Sequence, residues 1–221
     1  MSDTINSKVK WELYLQQRTQ NTVLHQEDIF ESNQFKSIWY WLHYSAGNHS
    51  RFSISPIGFF KTYVLNPKPL DEQFPTVREF RISARYENEQ KGRIVNYANR
   101  YSIEYRLRDL MNNDQFLPNW RVRYMAKIEK PVFGILSKNK PVTFILNDEV
   151  FLQIGKAVKN NPDIFDQNRV YVGASYEPIK NIKTSLGYIY GYQERNSGKE
   201  FDNIHYLWLV ISFENIFSQF Y

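Results

Sequence analysis

In three neighbouring segments, basic residues are separated by even numbers of positions, a spacing that puts side chains on one face of a β-strand. This set, the basic wall, consists of Arg81, Arg85, Arg100, Arg106, Arg121, Arg123 and Lys127. Four acidic residues share the spacing: Glu79, Glu87, Glu104 and Glu129. If hydrated, the wall would concentrate anions by electrostatic focusing. If paired with the glutamates, it would fill a narrow interior with charge-assisted hydrogen bonds, and we favour this plug over an anion path.

A second group of residues could support hydrolysis. His43 and Ser45 share a predicted strand face, and Ser53 and Ser55 lie on the next predicted strand. A serine hydrolase needs a serine, a histidine and an orienting acid or amide together. The simpler interpretation of His43 is an interface residue close to a turn, and this interpretation is favoured.

Other chemistry has less support. His25 lies near Glu27 and Asp28 in a predicted loop, where an Asp/His protease site could form, although a solvated loop histidine beside acids is common. The four histidines show no metal-ligand spacing and the chain has no cysteine, so we predict no metal site. There is no glycine-rich phosphate loop and no Gly-x-Ser-x-Gly motif, and we predict no cofactor.

The elements that must position these residues are strands. Apolar and polar residues alternate in ten runs, at 8–18, 35–45, 51–63, 77–87, 93–108, 120–130, 142–155, 168–177, 182–192 and 204–217. The connectors alternate between long polar segments and tight turns. The long ones are 19–34, 64–76, 109–119, 156–167 and 193–203, and the tight turns are 46–50, 88–92 and 178–181, with a longer piece at 131–141.

This alternation of long and short connectors between the runs predicts an all-β fold. We expect one antiparallel transmembrane β-barrel of about ten strands, spanning residues 1–221 as a single domain. A soluble barrel would show the same alternation with its faces exchanged. The long runs and the grouping of long loops favour the membrane barrel, because a tilted membrane strand needs roughly 9–11 residues. We expect short periplasmic turns, long external loops and both termini in the periplasm.

The strand pattern also predicts which face meets lipid and where the strands are irregular. Pro56 lies inside the third run close to Gly58, which predicts a β-bulge there. Asp148 falls on the same strand face as its apolar neighbours, so we expect a bulge near Asn147 that turns the carboxylate away from lipid. The predicted lipid face includes Trp11, Leu13, Ile82, Tyr101, Val122, Tyr124 and Leu209.

Composition narrows the class of protein. The net charge is +5, but the basic residues form no tract or helix face, so we predict no nucleic-acid partner. No window approaches 18 apolar residues, which excludes a transmembrane helix. Residues 1–7 are polar and resemble no signal peptide, so we expect a signal peptide to have been removed before Met1 or Ser2.

Several segments together resemble an outer-membrane β-barrel family of Gram-negative bacteria, catalogued only as a domain of unknown function of the 2490 type. The resemblance spans most of the chain and is strongest from residue 93 onward. It is carried by Glu104–Arg108, Trp120–Tyr124, Asn147–Phe151, Phe165–Gly173 and Leu186–Tyr188. It implies fold and location in the outer membrane, and it implies no activity.

The sequence therefore favours an integral outer-membrane protein that is not an enzyme. Its expected role is carried by external loops or by assembly with other envelope proteins. Its expected partners are outer-membrane lipid and lipopolysaccharide. A narrow pore that favours anions is the first alternative, and a surface hydrolase of the outer membrane is the second.

Overall fold

The computed structural model describes residues 1–22, 24–63, 76–159, 161, 163–195 and 200–218. These residues form eleven strands and one short 3₁₀ helix, Lys156–Val158. The strands are β1 (Ser2–Thr4), β2 (Val9–Gln20), β3 (Ser32–Ser45), β4 (Ser50–Thr62), β5 (Val77–Lys91), β6 (Asn96–Asp109), β7 (Leu117–Val132), β8 (Val142–Gly155), β9 (Phe165–Ile179), β10 (Ile182–Glu194) and β11 (Phe201–Phe213). Within the described residues, no helix is long and apolar enough to cross a membrane.

Each strand pairs antiparallel with the next, giving one sheet in the order β1 to β11. The sheet curls into a half-barrel, and its first long strand comes back towards its last. Across that seam, the Arg18 guanidinium of β2 lies 5.0 Å from the Tyr206 ring centroid and 5.3 Å from that of Trp208, both in β11. No ladder joins β2 to β11 in the part of the chain that the structure describes. In the described residues the sheet is therefore curled, and its two ends share a single backbone bridge, between Ser2 and Glu214.

The ten predicted runs correspond to β2 through β11, and β1 was not predicted. Three residues are too few for an alternation to be visible in sequence. The predicted turn at 88–92 lies instead at 92–95, because β5 continues to Lys91. Alternate connectors of an antiparallel meander lie at one end of the sheet, so the five long connectors share an end. Parts of four of them lie outside the described residues, namely 23, 64–75, 160 with 162, and 196–199.

The two faces of the sheet differ sharply in polarity. Apolar side chains point outward, with 53% of Ile82, 50% of Val122 and 64% of Leu209 exposed. The inner face, the side that the curl encloses, carries buried charged groups that include Glu79, Arg81 and eight more ionisable residues of the described chain: His43, Glu104, Arg106, Arg108, Arg121, Arg123, Glu149 and Asp166. A soluble protein has the opposite arrangement.

The predicted irregularities had different outcomes. The bulge near Pro56 is confirmed, because the β4–β5 register shifts between Ser55 and Gly58. The bulge near Asn147 was wrong, since the β7–β8 register runs without a shift past Asp148. Asp148 stays on the outer face and accepts a hydrogen bond from Asn168 Nδ2 at 2.5 Å. A neighbouring amide thus gives this carboxylate a partner without a change in backbone direction.

Glycines let one large aromatic side chain lie flat against the inner face. A Cβ atom placed on Gly187 of β10 would lie 2.3 Å from a ring carbon of Tyr171 in β9. A Cβ on Gly173 would come within 2.2 Å of the Tyr171 hydroxyl. Any larger residue at either position would therefore displace the ring.

Candidate functional site

The basic wall lies on the inner face of β5, β6 and β7, and the strand register brings its members together. Arg81 lies opposite Arg106, and Ser102 lies between Arg85 and Arg123 in the two ladders around β6. Burying guanidinium groups so close to one another requires compensating negative charge.

Glu104 of β6 provides much of that compensation. Its carboxylate accepts hydrogen bonds from Arg121 Nε and Arg123 Nη1, each at 2.7 Å. Arg81 Nη1 lies 3.3 Å away. Only 1% of the Glu104 side chain is exposed, so three guanidinium groups surround one enclosed carboxylate.

Three further carboxylates extend this network. Glu79 accepts hydrogen bonds from Arg81 Nε and Arg106 Nη2, both at 2.7 Å. Glu149 of β8 accepts from Arg123 Nη2 at 2.7 Å and Arg100 Nη2 at 2.9 Å, and Asp166 of β9 accepts from Arg121 Nη1 at 3.2 Å. Glu149 and Asp166 were missed as acidic partners in the sequence. The β7–β8 register places Glu149 diagonal to Arg123, whereas Asp166 of β9 lies two strands away from Arg121 and comes into reach through the curl of the sheet.

The remaining predicted members lie at the margins of the network. Lys127 pairs with Glu129 at 2.8 Å. Glu87 pairs with Arg51 of β4 at 2.6 Å, an arginine that the sequence did not single out. Arg85 stacks 4.1 Å from the Trp41 ring centroid, and its Nε has no hydrogen-bond partner among the described residues.

A second constellation on the inner face joins three strands. The buried His43 of β3 contacts Ser53 Oγ of β4 through Nδ1 at 2.8 Å. Its Nε2 contacts Glu12 Oε2 of β2 at 3.0 Å. If Nε2 carries the proton and donates it to Glu12, Nδ1 is free to accept from the Ser53 hydroxyl. The serine, histidine and acid thus form a continuous hydrogen-bonded chain.

The sequence identified only part of this constellation. It considered His43 with Ser45, Ser53 and Ser55, but the structure pairs His43 with Ser53 alone among these serines. Glu12 was missed as the acid. It belongs to a strand whose register against β3 places Glu12 opposite Trp41, diagonal to His43. The alternation along its strand indicated that Glu12 lies on the polar face. Nothing in the sequence indicated the β2–β3 register that brings it to His43.

A cavity of about 1150 Å³ follows the seam between β2 and β11. Its inner side is lined by polar and aromatic residues, including Glu12, His43 and Arg18. Its outer side is lined by leucines, namely Leu13, Leu15, Leu207 and Leu209. The cavity therefore connects the enclosed polar face with the apolar outer face of the sheet.

The short-connector end of the seam is bridged by β1 and the C-terminal segment. Ser2 pairs with Glu12 of β2 and forms a parallel bridge with Glu214. The Asp3 carboxylate accepts hydrogen bonds from the backbone N–H groups of Phe217 and Ser218, the latter at 3.0 Å. Although burial opposes its ionisation, hydrogen bonds from Ser218 and neighbouring backbone N–H groups lower the pKa of Asp3 to about 2.

The loop histidine forms a different pair from the one considered in the sequence. His25 Nδ1 contacts Glu31 Oε1 at 2.5 Å, and Glu31 also accepts from the Thr22 hydroxyl at 2.5 Å. The hydrogen bond to Glu31 raises the pKa of His25. This exposed cluster joins the two ends of the 21–31 connector and brings no serine, second histidine or metal-binding set to His25 among the described residues.

Comparison with known proteins identifies a family and nothing more specific. No curated protein and no solved structure matches the chain. The family described as "Protein of unknown function (DUF2490)" matches residues 1–202, which include every strand from β1 to β10. This confirms the resemblance inferred from the strand segments. The chain therefore belongs to the DUF2490 family of proteins of unknown function.

Proposed function

We propose that this protein is an integral β-barrel of the bacterial outer membrane whose interior is closed to ions by the Arg–Glu network. The observation that carries the proposal is the inverted polarity of the sheet. Ile82 and Val122 point outward and half exposed, whereas Glu104 and Arg121 are buried on the inner face. Lipid around the sheet would cover the apolar face and leave the charged face enclosed, as in membrane barrels.

The ion network supports the plug rather than the anion path. Four inner carboxylates, Glu79, Glu104, Glu149 and Asp166, each bond at least one buried arginine. Arginines held in this way attract free anions less, because neighbouring carboxylates balance their charge. A non-conducting barrel of this kind would act through its external loops or as a subunit beside other envelope proteins.

Membrane location is tested by expressing the chain with an outer-membrane signal peptide and fractionating the cells. We expect the protein in the outer-membrane fraction after a carbonate or urea wash, with migration on SDS gels that changes on boiling. Recovery in the soluble periplasm, or complete release by urea without unfolding, would contradict the proposal. Cells that express an outer-membrane barrel of known location provide the control for the fractions.

A further inference from the structure

We infer that Ser53, His43 and Glu12 form a catalytic site that hydrolyses carboxylic esters, with the acyl chain of the ester lying in the seam. This goes beyond the non-enzymatic role considered above. The hydrogen-bonded chain itself carries the inference, since it supplies a nucleophile, a base and an orienting acid in contact. The long-chain nature of the ester rests on the proposed membrane location, whereas the ester chemistry does not.

The step balances with these residues and water. Ser53 Oγ attacks the ester carbonyl carbon while its proton passes to His43 Nδ1. The tetrahedral intermediate then breaks its bond to the alkoxy oxygen, which takes that proton and leaves as the alcohol. Water attacks the carbonyl carbon of the acyl-Ser53 ester while His43 takes a proton from it. The bond to Ser53 Oγ then breaks, Oγ takes that proton from His43, and the carboxylic acid leaves. Glu12 is a positioning residue, because it holds His43 through Nε2 and stabilises the imidazolium.

Arg85 is placed to stabilise the negative charge that develops on the carbonyl oxygen. It lies directly opposite Ser53 in the β4–β5 ladder. Its guanidinium stacks on Trp41, whose ring in turn stacks against His43 with centroids 6.3 Å apart. Arg85 Nε is buried and has no hydrogen-bond partner among the described residues. A buried donor without a partner is costly, so a bound oxyanion would satisfy it.

The seam explains how a long acyl chain could reach this site. Glu12 and His43 line the inner side of the 1150 Å³ cavity, and Leu13, Leu207 and Leu209 line its outer side. An acyl chain between the leucines would stay in apolar surroundings while its ester carbonyl approaches the inner face. Among the described residues no ladder joins β2 to β11, and β1 covers the β2 edge only at Lys10–Glu12, so the rest of the seam would remain open for entry from the side.

The test uses purified, folded protein in detergent with a fluorophosphonate probe and the p-nitrophenyl esters of butyrate and palmitate. We expect a covalent adduct on the peptide that contains Ser53 and hydrolysis of both esters, with palmitate preferred. Ser53→Ala should remove the adduct and lower hydrolysis at least ~100-fold. Ser83→Ala is the matched control, because Ser83 is also a buried inner-face serine and its Oγ has no partner among the described residues.

Glu12 is tested separately, because a substitution there could lower the rate of hydrolysis by disturbing the fold without any direct effect on His43. Glu12→Gln should lower kcat with little change in KM and alter the pH profile, and Glu12→Asp should recover part of the rate. Heat-modifiable migration on gels shows whether each variant is folded. Folded wild-type protein without an adduct on Ser53, or equal hydrolysis by Ser53→Ala, would overturn the inference. A clear preference for butyrate would overturn the assignment of the seam to the acyl chain.

The two proposals fail in different ways. If the protein labels at Ser53 but fractionates as soluble, the membrane proposal is wrong and the ester chemistry stands. If it resides in the outer membrane without labelling, the hydrolase inference is wrong and the non-enzymatic role remains.

Discussion

Glu104 Oε2 accepts a hydrogen bond from Arg121 Nε at 2.7 Å, and the side chains are only 1% and 8% exposed. This contact joins adjacent strands β6 and β7 at the centre of the inner network. Burial of two opposite charges is favourable only when each has its partners, so removing one partner costs far more than the pair contributes. The network is therefore where single substitutions should have their largest effects.

Replacing Glu104 with Gln should destabilise the folded protein by roughly 3–5 kcal/mol, because Arg81, Arg121 and Arg123 lose their shared counter-charge. Glu129→Gln should cost less than about 1 kcal/mol, since Glu129 pairs with the more exposed Lys127. Urea unfolding followed by tryptophan fluorescence measures both. Equal destabilisation of the two variants would contradict a central role for Glu104.

Adjacent residues of β11 test which face meets lipid. Leu209 points outward, whereas Val210 points inward and lines the cavity. If the outer face is in lipid, Leu209→Arg should destabilise by roughly 2–4 kcal/mol, the usual effect of arginine near the bilayer midplane. Val210→Arg has polar surroundings and should fold in higher yield. Refolding into lipid vesicles compares the two, and the reverse order would show that the outer face is not in lipid.

Planar-bilayer recording tests the plug. We expect no single-channel steps from the wild-type protein, because the inner arginines are engaged with carboxylates. The double variant Arg106→Ser/Arg123→Ser should unfold at a lower urea concentration, since Glu79 and Glu149 each lose an arginine. Anion-selective steps from pure wild-type protein that disappear in a stable double variant would favour the anion path instead.

Cysteine labelling of intact cells tests the orientation of the sheet. Asn113 lies in a long connector and Lys138 in a connector at the opposite end. We expect an impermeant maleimide to label Asn113→Cys, while Lys138→Cys labels only after the outer membrane is made permeable. Labelling of Lys138→Cys alone in intact cells would reverse the orientation, and equal labelling of both would contradict a membrane-spanning arrangement.

The contacts of Asp3 predict a pH dependence at the seam. Its pKa in the folded protein is about 2, below its ordinary 3.8, so the ionised carboxylate stabilises the fold. That contribution is fully present above pH 3.8 and is lost as the pH falls through about 2. Asp3→Asn should lower the melting temperature at pH 7, and the difference from wild type should shrink near pH 2. A difference independent of pH would contradict this assignment.

The sequence by itself determined the strands and their faces. A period of two is a property of the extended backbone, so ten of the eleven strands, and the position of Arg81, Glu104 and Arg123 on the charged face of their strands, could be predicted from alternation alone. The bulge beside Pro56 was also predictable, because proline cannot donate to a ladder. The position of Asp148 on the outer face without a bulge was not predictable, since its partner Asn168 lies on another strand.

Only the tertiary structure decided which side chains meet. Periodicity is the same for a sheet that curls either way, so it cannot distinguish an inward charged face from an outward one. The register between neighbouring strands brings Glu149 to Arg123 and Glu12 to His43, and the curl of the sheet brings Asp166 of β9 to Arg121 of β7. The seam depends on the same contacts, because β2 and β11 are far apart in the chain and approach one another only after every strand between them has paired.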